Sequence, residues 1–159
     1  MTVHVRRVVT GHDGSGRAVV KIDEVSKNVV SNRPGASSCV IWITDANPVD
    51  NSGDADTSTR KVGTTFAGGT VFRVVEFSPG VAPRVHCTDS IDYAVVLSGE
   101  VDMELEKGNE VHLRAGDVLV QRGTVHCWIN RGDAPCTIAF VLIDAKPVTA
   151  GGKVLSAFG

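Results

Sequence analysis

A chain of 159 residues is enough for one hydrophobic core, and 16 Lys and Arg against 18 Asp and Glu leave a net charge near −2. That balance gives no field to draw in nucleic acid or an anionic membrane, and no apolar run approaches the roughly 18 to 20 residues of a membrane span. The expectation is one soluble, cytoplasmic domain with no nucleic-acid or membrane partner.

Residues 2–9 and 17–22 read as two strands joined by the turn-forming run 11–16 (Gly-His-Asp-Gly-Ser-Gly). His4 and His12 fall there as strand and turn residues. Residues 27–38 read as a polar connection containing Arg33-Pro34-Gly35. Residues 39–44 (Cys-Val-Ile-Trp-Ile-Thr) form an apolar, β-branched run that predicts a buried strand. The polar stretch 45–63 is expected to be a solvated loop, serving as a lid, a pocket rim or a dimer contact. Its Asp50, Asp54 and Asp56 lack the frame of a calcium-binding loop.

From Gly68-Gly69 onward the strands crowd together: 70–78, 84–88, 92–97, 101–105, 110–114, 118–121, 125–129 and 137–143. Short alternating strands with a turn signal after each predict an all-β sandwich or barrel. Val101, Met103 and Leu105 alternate with Asp102, Glu104 and Glu106, and Val111 and Leu113 with Glu110, His112 and Arg114. The charged members, His112 included, belong to a wet outer face. Residues 144–159 read as a tail, either a flexible end or an arm laid across a neighbour. Cys39, Cys87, Cys127 and Cys136 show no metal-site spacing and are expected to be free, packed thiols.

Strand parity selects the candidates for chemistry, because successive side chains point to opposite faces. If His86 points inward, so do Arg84 and Thr88. If His126 points inward, so does Trp128. Asp92 opens an otherwise apolar strand, as a turn cap or a pocket carboxylate, and Ala94 and Val96 share its face.

The pattern Gly80-x5-His86-x-Thr88-x3-Asp92-x6-Gly99, followed by Gly116-x6-Gly123-x2-His126-x3-Asn130, resembles the two motifs of the cupin superfamily. The resemblance implies a double-stranded antiparallel β-helix, or jelly-roll barrel, over residues 68–143. The N-terminal strands and polar loop (1–67) extend its sheets, 144–159 form the tail, and a homodimer is implied. It also implies a pocket that commonly holds iron, manganese, nickel or zinc on three His and one Glu. Here His86 and His126 match the first and last ligands, while Thr88 stands where the second His would be and Asp92 replaces Glu.

Two chemistries follow. One is a facial triad of His86, Asp92 and His126 around a weakly bound divalent transition metal, serving an oxygenase that acts on a small aromatic or polyketide-like substrate. The other needs no cofactor and comes first: His126 or His86 as general base, Asp92 as orienting or second acid/base group, and Arg84 or Arg122 holding a substrate carboxylate or developing enolate. Lyase, decarboxylase, dehydratase and isomerase reactions suit that set, and a non-catalytic ligand-binding module is a further alternative. Tyr93 is an additional candidate at an irregular strand start. Thr88 and Trp128, with Trp42, Phe72 and Met103, are the candidate pocket walls.

Overall fold

The computed structural model describes residues 3–159. Met1 and Thr2, and with Thr2 the first residue of the expected opening strand, lie outside the described residues. β1 (Arg6–His12) and β2 (Ala18–Val25) form an antiparallel hairpin. The Asp13 carboxylate accepts from the backbone N–H groups of Ser15 and Arg17, which shortens the turn and lets β1 run on through Gly11 and His12.

A second hairpin occupies what reads from sequence as a polar connection: β3 (Val29–Arg33) pairs with β4 (Ala36–Thr44). Pro34 and Gly35 make its turn, with Gly35 at φ +78, a left-handed conformation that favours glycine. The serines that make this stretch look like a loop are used locally, since Ser31 Oγ donates to the Ala36 carbonyl.

The remaining strands are β5 (Thr70–Phe77), β6 (Ser90–Ser98), β7 (Glu100–Leu105), β8 (Glu110–Arg114), β9 (Val118–Arg122), β10 (His126–Ile129), β11 (Cys136–Asp144), β12 (Val148–Ala150) and β13 (Lys153–Leu155). Residues 84–88, expected as a strand, make only single bridges, His86 to His126 and Cys87 to Phe158. An antiparallel six-stranded sheet, β3-β4-β5-β11-β6-β9, faces a three-stranded one, β10-β7-β8. Val71, Val96, Val101, Met103, Ile138 and Leu142 are buried in the core between them. This is the expected jelly roll. β3 and β4 extend the larger sheet, and N-terminal residues cover its outer face through a second cluster of Val3, Cys39, Ile41 and Val74.

Cross-strand register shows which side chains share a face. Val40, Arg73, Phe140, Ala94 and Leu119 form one inward row, and Val71, Leu142, Asp92 and Gln121 another. Phe72, Val141, Tyr93 and Val120 form an outward row, with Val74, Ala139, Val95 and Val118 beside it. The register between β4 and β5 shifts between Val40 and Trp42, and this bulge reverses the parity of β4. Before it, Val40 stands opposite inward Arg73; after it, Trp42 stands opposite outward Phe72.

The charged face of β7 and β8 is an ionic network rather than a row of independent solvated groups. Asp102 is buried, accepting from His112 at 2.7 Å and from Arg131 at 2.6 Å. Val111, expected on the inner face, is partly exposed on the edge strand of its sheet. The tail lies across its own chain: β12 and β13 form a hairpin, Phe158 exchanges backbone hydrogen bonds with Cys87, and the Arg84 guanidinium donates to the Gly159 oxygen. All four cysteines are free and buried. Among the described residues no helix is long and apolar enough to cross a membrane.

Candidate functional site

A cavity of about 730 Å³ opens among β4, β5, β10, β11 and the chain from Ser58 to Thr64. That segment is the pocket-rim alternative for the long polar loop. A 3-10 turn at Thr57–Thr59, capped by the Asp56 carboxylate, gives it shape. Asp56 is anchored in turn by buried Arg7, which holds its carboxyl well below the usual range.

His86 and His126 meet in this cavity because their backbones pair as an isolated bridge, His86 N–H to His126 O at 3.0 Å and the reverse at 2.9 Å. Residues bridged in this way place their side chains on one face, and the ring centroids stand 4.3 Å apart. The His86 Nδ1 lies 2.9 Å from the Arg84 carbonyl, which only accepts, so the proton rides on Nδ1 and the Nε2 lone pair is free. The His126 Nδ1 lies 3.0 Å from the Thr124 carbonyl and 2.8 Å from the Gln121 amide nitrogen. A half-turn of that amide puts its oxygen at the same place, and the Nδ1 proton then has two acceptors. The buried Gln121 thus orients His126, with Nε2 again the free atom.

Burial is the main force on both rings. It pushes His126 down to about 4, with help from the charges of His86 and Arg84, and it lowers His86 as well, with Arg84 and Arg33 adding repulsion. Both imidazoles are neutral near pH 7. Burial raises Asp92 above the ordinary carboxylate value, against the opposing pull of Ser90 and Arg73. Ser90 Oγ lies 2.5 Å from the Asp92 carboxylate and 2.8 Å from Thr88 Oγ1, a short chain of hydroxyls from the buried acid.

A pH dependence of stability follows. The folded His126 titrates near 4 against about 6.5 when unfolded, so between those values the unfolded state binds the extra proton. Stability from this group is complete above about pH 6.5 and is lost as pH falls toward 4, amounting to about 3 kcal/mol. Asp92, with its raised value, acts oppositely: its contribution is complete below its unfolded value and fades as pH rises through the folded one. Urea unfolding at a series of pH values should show a net fall below pH 6, and His126→Gln should flatten it.

The cavity is rich in positive charge. Arg33, Arg60, Lys61, Arg73 and Arg84 line it, against Asp92 as the one lining carboxylate. This setting bears on the metal that the motif resemblance implies. Among the described residues no three His, Cys, Asp or Glu side chains converge on a point that could hold an ion. Asp92 is turned to Ser90, the Thr88 hydroxyl is engaged by the same serine, and Arg84 acts electrostatically on both imidazoles. The donor set does not fit a divalent transition metal, and the expected triad of His86, Asp92 and His126 is not formed.

The structure places His86, His126, Asp92, Arg84, Thr88 and Trp128 around the one cavity. Trp128 is its aromatic wall, stacked on Phe77 at 5.8 Å and edge-on to His126 and Phe140. Arg122 and Tyr93 are exposed, Tyr93 on the outward row, and neither reaches the cavity. The bulge in β4 puts Trp42 on the outer face with Phe72, so neither is a pocket wall. Met103 pairs with Trp128 across the strands but is buried in the core behind it. Sequence parity missed Arg73, Arg33 and Gln121. Arg73 carried a signal, standing in period two with Val71, Val75 and Phe77, but the other face of β5 is nearly as apolar.

Comparison with known proteins bears on the family and the fold. A family profile described as a cupin domain matches residues 73–143. "Phomopsin biosynthesis cluster protein C'" of Diaporthe leptostromiformis is 37% identical over 94% of this chain and 83% of its own length. A "cupin-domain-containing oxidoreductase" of Aspergillus ruber is 35% identical over 97% of this chain and 79% of its own. Among solved structures, a cupin domain from Schizosaccharomyces pombe superposes with a TM-score of 0.53 at 11% identity, covering 87% of each chain, a likeness of fold alone.

Proposed function

The chain belongs to the cupin superfamily, and from that premise we propose that it is a small-molecule enzyme of secondary metabolism working by acid/base chemistry in the barrel cavity. The observation that carries this reading is the pair of neutral imidazoles, each tethered through Nδ1 and each with Nε2 free of protein hydrogen bonds among the described residues. The Nε2 of His126 takes a proton from a carbon next to a carbonyl, and Arg84 stabilises the negative charge that develops. Asp92, protonated more readily than an ordinary carboxyl, returns a proton through Ser90 and Thr88. Isomerisation and dehydration begin with such a step, whereas decarboxylation reaches the same enolate by loss of carbon dioxide and needs only the returned proton. The second reading is an oxidoreductase, favoured by the name of the Aspergillus relative.

Mass spectrometry separates the two. Purified protein is incubated with a metabolite extract from a source strain that lacks it. Acid/base chemistry predicts a product of unchanged mass, or one lighter by water or carbon dioxide. A product that has gained or lost two hydrogens alone, or has gained oxygen, instead supports the oxidoreductase, and an extract left unchanged refutes both.

A further inference from the structure

We propose that the cavity receives its substrate as an organic carboxylate on an apolar body, anchored by Arg73 with Arg33 and Arg84 beside it. This deepens the enzymatic reading and rests on it.

Outside the cavity, most arginines are matched with carboxylates. Arg6 meets Asp23, Arg7 meets Glu24 and Asp56, and Arg131 meets Asp102 and Glu110. Arg60, at the cavity rim, is paired with Asp45. Arg33 and Arg73 in the cavity are held by neutral backbone carbonyls instead. Arg33 donates to Ala82 O, Arg73 to Gly63 O and Thr64 O, and Arg84 to the Gly159 oxygen. Carbonyls fix a guanidinium in place without cancelling its charge. Arg84 and the other two repel one another, and Asp92 draws only Arg73.

Arg73 has a further mark of an unfilled site. It stands on the inward row between Val40 and Phe140, and its Nε is buried with no hydrogen-bond partner. A buried donor left unpaired is costly, and a carboxylate offers acceptors in the planar geometry a guanidinium matches. The anion has an apolar counterpart nearby. Trp128, Phe77, Phe140 and Leu142 line the same cavity and suit a carbon skeleton, and its volume of about 730 Å³ accommodates one of two or three rings. The long chain from Ser58 to Thr64 contributes directly, since its carbonyls hold Arg73 in position.

The test uses a matched pair, 2-naphthoate and 2-naphthamide, which share a body and differ in charge. Calorimetric titration of the wild-type protein at low salt should show the acid binding about tenfold or more tightly than the amide. Salt should erode that preference. Arg73→Gln should reduce it to within about threefold, and Arg73→Lys, which keeps the charge but not the fork, should retain part of it. Equal binding of acid and amide by the wild type overturns the proposal. So does an Arg73→Gln protein with unchanged thermal midpoint and unchanged preference. Inorganic phosphate displacing naphthoate at equal concentration also overturns it, in favour of a phosphate ligand. If Arg73→Gln does not fold, the wild-type pair and Arg33→Gln decide. Acid preference without turnover of any metabolite removes the enzyme and leaves the ligand class; turnover without acid preference does the reverse.

Discussion

Replacing His126 with alanine is expected to lower turnover by roughly a hundred- to ten-thousand-fold, the range spanned by loss of a positioned general base. His86 has a free Nε2, but its ring is held by a different carbonyl and stands 4.3 Å from that of His126, centroid to centroid. Asp92 is committed to Ser90. The loss should fall on kcat more than on KM, because the imidazole acts on the proton being moved rather than on the substrate's anchor. The wild-type pH profile gives an independent reading. With His126 displaced to about 4, kcat/KM of the free enzyme should stay level through neutrality and decline only well below pH 6. A decline centred near 6.5 would assign the base to an unperturbed group, and an alanine variant within threefold of wild type would remove His126 from the mechanism.

Trp128→Ala should destabilise the fold by about 3 kcal/mol, the lower end of the range for deleting a large buried aromatic. The indole is 4% exposed, packed on Phe77 and Phe140 and paired across the strands with Met103. Its removal strips contacts from three elements at once. The value sits low because one side of the ring borders an open cavity, where water fills the gap and no sealed void is left. Urea unfolding should report a lower midpoint with an unchanged slope. Near-UV circular dichroism of the native variant should lose most of its signal, as the other tryptophan, Trp42, lies outside the core.

The two histidines were legible in the sequence because glycines and strand parity fix them locally, and Trp128 followed from His126 by a spacing of two. The jelly roll was legible for the same reason, as each short strand ends on its own turn signal. Residues whose position depends on a partner strand were not. Trp42 reads inward until the bulge between Val40 and Trp42 reverses its face, and a bulge has no reliable mark in an apolar run. Asp92 read as a turn cap or a pocket carboxylate, and its partner was not legible: spacing brings it near the histidines, while the hydroxyl of Ser90 claims its carboxylate. The β3–β4 hairpin was hidden by its serines and asparagine, although Pro34-Gly35 marked its turn. Arg73 was hidden although it stands in period two with Val71, Val75 and Phe77, because Phe72 and Val74 make the other face of β5 apolar enough to blur the distinction.

That last ambiguity has a consequence for how the chain finds its alignment. β6 carries Tyr93, Val95 and Leu97 on one face and Ala94 and Val96 on the other, and β11 and β9 are similarly apolar on both. A slip of one residue would exchange one greasy face for another, so hydrophobicity alone hardly discriminates the native pairing from its neighbours. One position does. Gly99 would no longer meet the backbone at Pro135 and Cys136, where a β-carbon would lie 2.4 Å from the Pro135 carbonyl oxygen. The residue without a side chain acts as the alignment pin of the larger sheet. Substituting it should broaden the native state into coexisting registers, visible as doubled amide resonances along β6 and β11.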